Sequence, residues 1–160
     1  MQYLPKRVNN IELIVSALGN VGIWVGWVGD TDKPTETNAF WTSLATMPDN
    51  CMIIGLDPTV FGDNNFHVVF RRGGTTLVNE DIGDTIPLST HVEIDGFIDD
   101  LSQNSYFYID SSLAFSHAGD FPTAQMQQYF AVVSRGVPGE NLDFHLHDFK
   151  LIFDAERIDV

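Results

Sequence analysis

The chain has 160 residues, of which 44% are hydrophobic, and its 22 acidic and 8 basic residues give a formal net charge of −14. This length and composition exclude a disordered chain and predict one globular domain over residues 1–160. The negative charge repels phosphate groups, so nucleic acid and membranes are excluded as expected partners.

The single cysteine, Cys51, excludes a disulfide within the chain. Its neighbours Met52–Leu56 are apolar, which predicts a buried thiol rather than a nucleophile. The first ten residues, "MQYLPKRVNN", lack the long apolar core of a signal peptide. We therefore expect a chain that is either made in a reducing compartment or needs no disulfide bridges.

The hydrophobic pattern has a period of two along most of the chain, which is typical of strands. Predicted strands include Ile11–Val15, Val21–Trp27, His67–Phe70, Tyr106–Ile109, Leu113–Phe115, Phe130–Val133, Leu142–Leu146 and Phe149–Phe153. Turn signals at Arg71–Gly74 and Asp110–Ser112 separate neighbouring strands, and the second predicts a β-hairpin. The parity of the last two strands differs, which predicts a bulge near His147 and Asp148.

Only Thr37–Ala45 and Ala124–Tyr129 are expected to form short helices. Many short strands with few helices favour an all-β, antiparallel β-sandwich. In such a fold the early segment Ile11–Val15 and the late segment Leu151–Phe153 are expected to pair, which brings the two ends of the chain together.

The region from about residue 60 to 155 resembles the concanavalin A-like jelly-roll domains. The resemblance is carried by the hairpin "FYIDSSLAFSH" (107–117), the segment "FPT" (121–123), the strand Phe130–Val133 and the closing segment "LHDFKL" (146–151). The family hairpin often has Asp-Gly where this chain has Asp110-Ser111. Domains of this kind occur in lectins, in glycosidases and in capsid decoration and fibre proteins of tailed phages.

Retaining glycosidases of this family carry a Glu-x-Asp-x-Glu strand, in which the first and last carboxyl groups lie roughly 5 Å apart. In "HVEIDGFIDD" (91–100), Glu93 and Asp95 match the first two places, but Phe97 stands at the third. The acid–base residue of that mechanism is therefore missing. We interpret the segment as a half-buried strand with Val92, Ile94 and Ile98 facing the core, and we expect no catalytic residue and no enzymatic activity.

Two further groups of residues are candidate binding sites. His145 and His147 alternate and, with His117 or His67, suggest a zinc or nickel site, although exposed polar residues explain the pair more simply. Calcium-dependent lectins use Asp and Asn oxygens, so the candidate glycan and calcium residues are Asp30, Asp32, Asp63 and Asn64, with Trp41 as a sugar-stacking ring. Asp and Asn are also ordinary turn residues, and turns are the competing interpretation.

From these observations we expect a non-enzymatic virion structural module of a tailed phage, a head decoration or fibre protein assembled in the host cytoplasm. Its expected partners are other virion subunits, including copies of itself, and a cell-surface glycan. No cofactor is expected other than calcium as a candidate. The alternative is a glycan-binding module, assisted by calcium.

Overall fold

The structure is a computed structural model that describes residues 7–15, 21–29, 40–83, 85, 90–99, 102–119, 121–122, 124–135 and 144–146, the first and last of these ranges as backbone. Its strands are β1 (Arg7–Val15), β2 (Val21–Gly29), β3 (Cys51–Leu56), β4 (His67–Arg72), β5 (Thr75–Asp81), β6 (His91–Asp99), β7 (Asn104–Ile109), β8 (Ser112–Ala118), β9 (Met126–Ser134) and β10 (Phe144–Leu146). One helix, α1 (Pro58–Phe61), and one 3-10 turn (Leu44–Thr46) join them. No helix in these ranges is long and apolar enough to cross a membrane.

The described strands form two antiparallel sheets of five strands each. The first sheet has the order β10-β1-β6-β7-β8, and the second has the order β5-β4-β3-β2-β9. Side chains from both sheets meet in one hydrophobic core, where the Trp27 and Phe107 rings lie 6.1 Å apart. The predicted all-β, antiparallel β-sandwich is confirmed.

Strand β2 shows how the period of two builds this core. Val21, Ile23, Val25 and Trp27 point into the space between the sheets, as the alternation predicts. Trp24 and Val28 point to the opposite side of the second sheet, and they are fully buried there as well. The second sheet is therefore covered on both faces, and both tryptophans of this strand belong to a core.

A second hydrophobic cluster lies on the outer face of the second sheet, where residues of the segment 40–61 pack on side chains of β2 and β4. We call this group the outer cluster, and its buried members are Trp24, Val28, Trp41, Met47, Cys51, Ile53 and Val69. Tyr129 on β9 is partly buried against the same cluster. This burial raises the pKa of the Tyr129 hydroxyl to about 12.

Two arginines, the buried Arg71 and the partly buried Arg135, hold the segment 40–61 in place. Arg71 on β4 donates to the backbone oxygens of Met47, of Pro48 at 3.3 Å and of Gly74 at 2.6 Å. Arg135, directly after β9, donates to the Asp57 carboxylate at 2.6 and 3.1 Å and to the backbone oxygen of Trp41.

The predicted turn at Arg71–Gly74 is shorter than expected. Both arginines of that segment belong to β4, and Gly73 and Gly74 form the turn.

The hairpin between β7 and β8 is confirmed, and the backbone angles define its turn type. Asp110 and Ser111 have φ angles of 50° and 62°, the left-handed values of a type I′ turn. Asp110 also pairs with β6, because its Oδ1 accepts from the Glu93 backbone N–H at 2.9 Å. Ser111 thus takes the left-handed position where Gly is more usual, and the Asp110 side chain anchors the turn to β6.

The two predicted helices have different outcomes. Within Thr37–Ala45, residues 40–45 are described and contain only the start of the 3-10 turn at Leu44. The helix expected over Ala124–Tyr129 is wrong, because β9 begins at Met126 and pairs with all nine residues of β2. Pairing with a fully buried neighbour outweighs the local helix preference of a Gln-rich segment.

β1 pairs with a late strand, β10, whereas the expected pairing of Ile11–Val15 with Leu151–Phe153 stays a prediction. β1 lies between β6 and β10, with Leu13 opposite both Val92 and Leu146. The closing segment Leu151–Phe153, the predicted bulge at His147 and Asp148, and His147 itself lie outside the described residues.

The predicted burial of Cys51 is confirmed, since its side chain is 0% exposed within the outer cluster. We therefore expect labelling of the native protein by a thiol reagent to be at least about a hundred times slower than labelling in urea, because reaction requires local opening. The measurement is the rate of thiol modification in the two conditions. Comparable rates would show that the outer cluster opens freely.

Candidate functional site

The outer face of the first sheet carries aromatic and acidic side chains side by side. On β6 the burial alternates, so that Val92, Ile94 and Ile98 face the core while Glu93, Asp95 and Phe97 face outward. This confirms the predicted orientation of the strand. The neighbouring strand β7 alternates in the same way, with Phe107 and Ile109 buried and Tyr106 and Tyr108 half-buried on the outer side.

The strand register brings the outward side chains of β6, β7 and β8 into two rows. Phe97 lies opposite Tyr106, and Tyr106 lies opposite Ser116 on β8. In the next row Asp95 lies opposite Tyr108, and Tyr108 lies opposite Leu113. Leu113 is 55% exposed, and among the described residues it is the one large hydrophobic side chain that is exposed.

The three aromatic rings form a shallow platform. The Phe97 and Tyr106 rings are stacked at 6.1 Å with an angle of 26° between their planes. Tyr108 follows Tyr106 on the same side of β7, one strand repeat or roughly 7 Å away. We call Phe97, Tyr106, Tyr108 and Leu113, with the adjoining Glu93 and Asp95, the aromatic face.

The electrostatic character of this face is acidic. Glu93, Asp95 and Asp99 alternate along β6, whereas residues 73–134 contain no lysine and no arginine. The described side chains of β6, β7 and β8 therefore include no basic residue apart from His91 and His117. The three carboxylates of β6 disfavour anionic ligands, but the neighbouring strand β1 places Arg7 in register with Phe97, so this end of the face also carries a basic residue.

The third position of the glycosidase pattern is filled by an aromatic ring. Phe97 points to the same side as Glu93 and Asp95, and it packs on Tyr106. A phenyl ring can neither donate nor accept the proton that the acid–base residue of a retaining glycosidase transfers. Glu93 and Asp95 thus stand beside a platform rather than beside a second catalytic carboxylate.

Sequence reasoning did not find the aromatic platform, although a signal for it existed. The alternation that orients Glu93 and Asp95 also orients Phe97, and Tyr106 and Tyr108 have the outward parity of their own strand. The sequence does not show the register of β6 against β7, and this register is what makes Phe97 and Tyr106 neighbours.

Of the predicted sugar and calcium residues, Trp41 lies in an unexpected environment. It is 4% exposed, and its ring lies against Phe40 at 4.7 Å, Trp24 at 5.1 Å and Tyr129 at 5.4 Å between centroids. The expected polar neighbourhood and exposed stacking ring are therefore wrong. Trp41 is part of the outer cluster, because it closes that cluster over β2.

The acidic residues of the prediction are only partly described. Asp30 and Asp32 lie outside the described residues. Asp63 and Asn64 follow α1, and Asp63 is half-buried beside His67, with 3.1 Å between its Oδ1 and the His67 Nε2. Asp63, His67 and Asp81 each offer one ligand atom, and these atoms lie within 4.8 Å of one another. Asp81 was not predicted as a member of this group.

The predicted zinc or nickel site requires His67 or His117 to lie near His145, and these residues belong to different strands. His67 begins β4 in the second sheet, whereas the backbone of His145 lies opposite Ile14 in the first sheet. His117 on β8 lies beside Phe70, with 5.4 Å between ring centroids. The zinc or nickel site on the His145 and His147 pair stays a prediction.

No family model matches the sequence, and no curated protein matches it. Among solved structures, the fold is similar to the carbohydrate-binding module CBM66 from Bacillus subtilis, with a TM-score of 0.48 and 9% sequence identity. The match covers 82% of this chain and 69% of that one. At this score the likeness says nothing about function. The tailed-phage setting implied by the sequence resemblance stays a prediction.

Proposed function

We propose that this protein is a non-catalytic glycan-binding module and that the sugar lies on the aromatic face of the first sheet. The observation that carries the proposal is the stacked pair Phe97 and Tyr106 on a solvent-facing sheet surface, next to the outward carboxylates Glu93 and Asp95. This combination offers a sugar both an apolar surface and hydrogen-bond acceptors.

Aromatic rings on a sheet surface suit the flat side of a sugar ring. One side of many hexoses presents mainly C–H groups, and packing this side on an aromatic ring removes apolar area from water. Phe97, Tyr106 and Tyr108 are each half-buried, so part of every ring is accessible. Leu113 extends the apolar area to the edge strand β8.

Carboxylates beside the rings suit the hydroxyl groups around the edge of a sugar. An ionised carboxylate accepts hydrogen bonds from hydroxyl donors, and these charge-assisted bonds are stronger than neutral ones. Glu93 and Asp95 lie in the strand next to the rings, within reach of a sugar stacked there. Together, rings and acceptors supply both affinity and orientation.

The charge of the face selects among glycans. The three outward carboxylates on β6 disfavour sialylated or uronic acid-containing chains, although Arg7 of β1, in register with Phe97, offsets part of this charge. Neutral hexose chains and glycans with free amino groups are compatible with this surface. We therefore expect the ligand in one of these two classes.

The test is a glycan array followed by calorimetry on the ligand found. Replacing Tyr106 with alanine is expected to weaken binding about tenfold or more, because a central ring of the platform is lost. Glu93→Gln is expected to weaken binding by a smaller factor, because an amide accepts hydrogen bonds less strongly than a carboxylate.

Two control variants lie on the exposed side of β5 in the second sheet. Thr76→Ala is the control for Tyr106→Ala, and Glu80→Gln is the control for Glu93→Gln. Both control variants should bind the glycan like the unmodified protein. No hydrolysis of the bound glycan is expected. Binding unchanged by Tyr106→Ala would refute the location of the site, and glycan cleavage lost in Glu93→Gln would refute the non-catalytic role.

The virion structural role inferred from the sequence stays a prediction beside this proposal. A fibre or decoration protein with an exposed sugar-binding face would attach a particle to cell-surface glycans, so the two roles are compatible. Electron microscopy of the native assembly, with this chain labelled, decides whether it is a virion component.

A further inference from the structure

A group of three potential metal ligands lies at one edge of the second sheet, away from the aromatic face. His67 is the first residue of β4, and it is paired in register with Asp81, the last residue of β5. Asp63 reaches the same place from the loop that follows α1. The potential ligand atoms of the three residues lie within 4.8 Å of one another.

The His67 ring is buried, and stacking fixes its orientation. The residue is 8% exposed, and its ring is stacked on Phe61 with 4.0 Å between centroids and 5° between planes. Its Nε2 faces the Asp63 carboxylate, at 3.1 and 3.2 Å from the two oxygens. Its Nδ1 is buried and finds no hydrogen-bond partner among the residues described.

The two carboxylates are oriented by local N–H donors. The Asn65 backbone donates to Asp63 Oδ1 at 3.0 Å, and the Asn65 side chain donates to Asp81 Oδ2 at 3.1 Å. The Gly83 backbone donates to Asp81 Oδ1 at 2.8 Å. The hydrogen bonds from Gly83 and Asn65 lower the pKa of Asp81, so its carboxylate is ionised at neutral pH.

The spacing of these atoms fits a small tetrahedral ion. Two ligands bound at about 2.1 Å to one zinc ion lie roughly 3.4 Å from each other. The Asp63 oxygen and the His67 nitrogen, at 3.1 Å, are already close to this separation. Asp81 is exposed, and its carboxylate would close the remaining distance by exchanging the hydrogen bond from the Asn65 side chain for the bond to the ion.

We propose that Asp63, His67 and Asp81 bind a divalent transition-metal ion of the zinc type, with water completing the coordination. The nitrogen of a buried imidazole together with two carboxylate oxygens is a donor set that zinc accepts in three-ligand sites. Calcium prefers six to eight oxygen ligands, and this group offers two carboxylates and a nitrogen. The ion would tie the loop after α1 to the β4 and β5 edge.

The experiment is thermal unfolding of the full chain, first freed of metal with EDTA and then measured with zinc or calcium. Zinc is expected to raise the melting temperature, and EDTA is expected to reverse the shift, because the site is assembled only in the folded chain. Calcium at the same concentration is expected to give no comparable shift. An equal response to calcium, or no response to zinc, overturns the assignment.

Variants identify the site. Asp81→Asn is chosen because Asp81 is exposed and its loss should leave the fold intact, and we expect it to weaken zinc binding about tenfold or more in calorimetry. The adjacent exposed Glu80→Gln is the matched control and should keep the affinity of the unmodified chain. A double change of His145 and His147 to asparagine should also keep it. Unchanged affinity in Asp81→Asn, or loss of binding in that double variant, overturns the proposal.

Discussion

Replacement of Arg135 with alanine is expected to lower the free energy of unfolding by about 3–5 kcal/mol. Asp57, its partner, is 0% exposed, and the Arg135 Nη2 lies 2.6 Å from the Asp57 Oδ2. Without the guanidinium, the donors that the described residues leave to this buried carboxylate are neutral, namely the Trp24 indole N–H at 3.2 Å and the Thr59 backbone N–H at 3.1 Å. The measurement is urea unfolding followed by circular dichroism.

A second arginine and a second change serve as controls for this prediction. The exposed Arg72 on β4 is the matched control, and its replacement with alanine should cost less than about 1 kcal/mol. When Asp57 is already changed to alanine, removal of Arg135 should cost much less than it does alone, because no buried charge is left uncompensated. Equal costs in both backgrounds would show that the two residues are not coupled.

Deletion of residues 1–15 is expected to abolish the cooperative unfolding transition. β1 is an interior strand of the first sheet, between β6 and β10, so its removal leaves the edge of β6 unpaired and separates β10 from the sheet. The measurement is thermal unfolding followed by circular dichroism, together with the dispersion of the amide proton spectrum.

The control is a shorter deletion of residues 1–6, which removes no residue of β1. This variant is expected to melt close to the full chain. If the chain without residues 1–15 melted at the same temperature as the full chain, β1 would not contribute to the stability of the sandwich. In that case the segment would instead be an arm available to a partner.

For the aromatic face, the sequence determined the orientation of each strand but not the site. The alternation in "HVEIDGFID" is sufficient to predict that Glu93, Asp95 and Phe97 share one side, because side chains alternate strictly along a strand. That Phe97 stacks on Tyr106 depends on which residues of β6 and β7 are opposite, and this register is set by pairing across the sheet.

For the metal-ligand group and for Trp41, too, the tertiary structure decided what the sequence did not predict. Asp63 and His67 are four residues apart, but Asp81 joins them only because β4 and β5 pair with His67 opposite Asp81. Polar neighbours in the sequence suggested that Trp41 was exposed, whereas its position over β2 buries it. Local sequence says little about which layer covers a sheet.

What the sequence by itself determined is therefore the class of fold, the burial of Cys51, the β7 and β8 hairpin and the core-facing side of β2 and β6. These features depend on interactions between residues close in sequence and on the two-residue period of a strand. The tertiary structure decided the strand character of Met126–Ser134, the buried pair of Asp57 and Arg135, and the grouping of Asp63 with Asp81. These features join residues distant in sequence, and only packing and strand register bring such residues together.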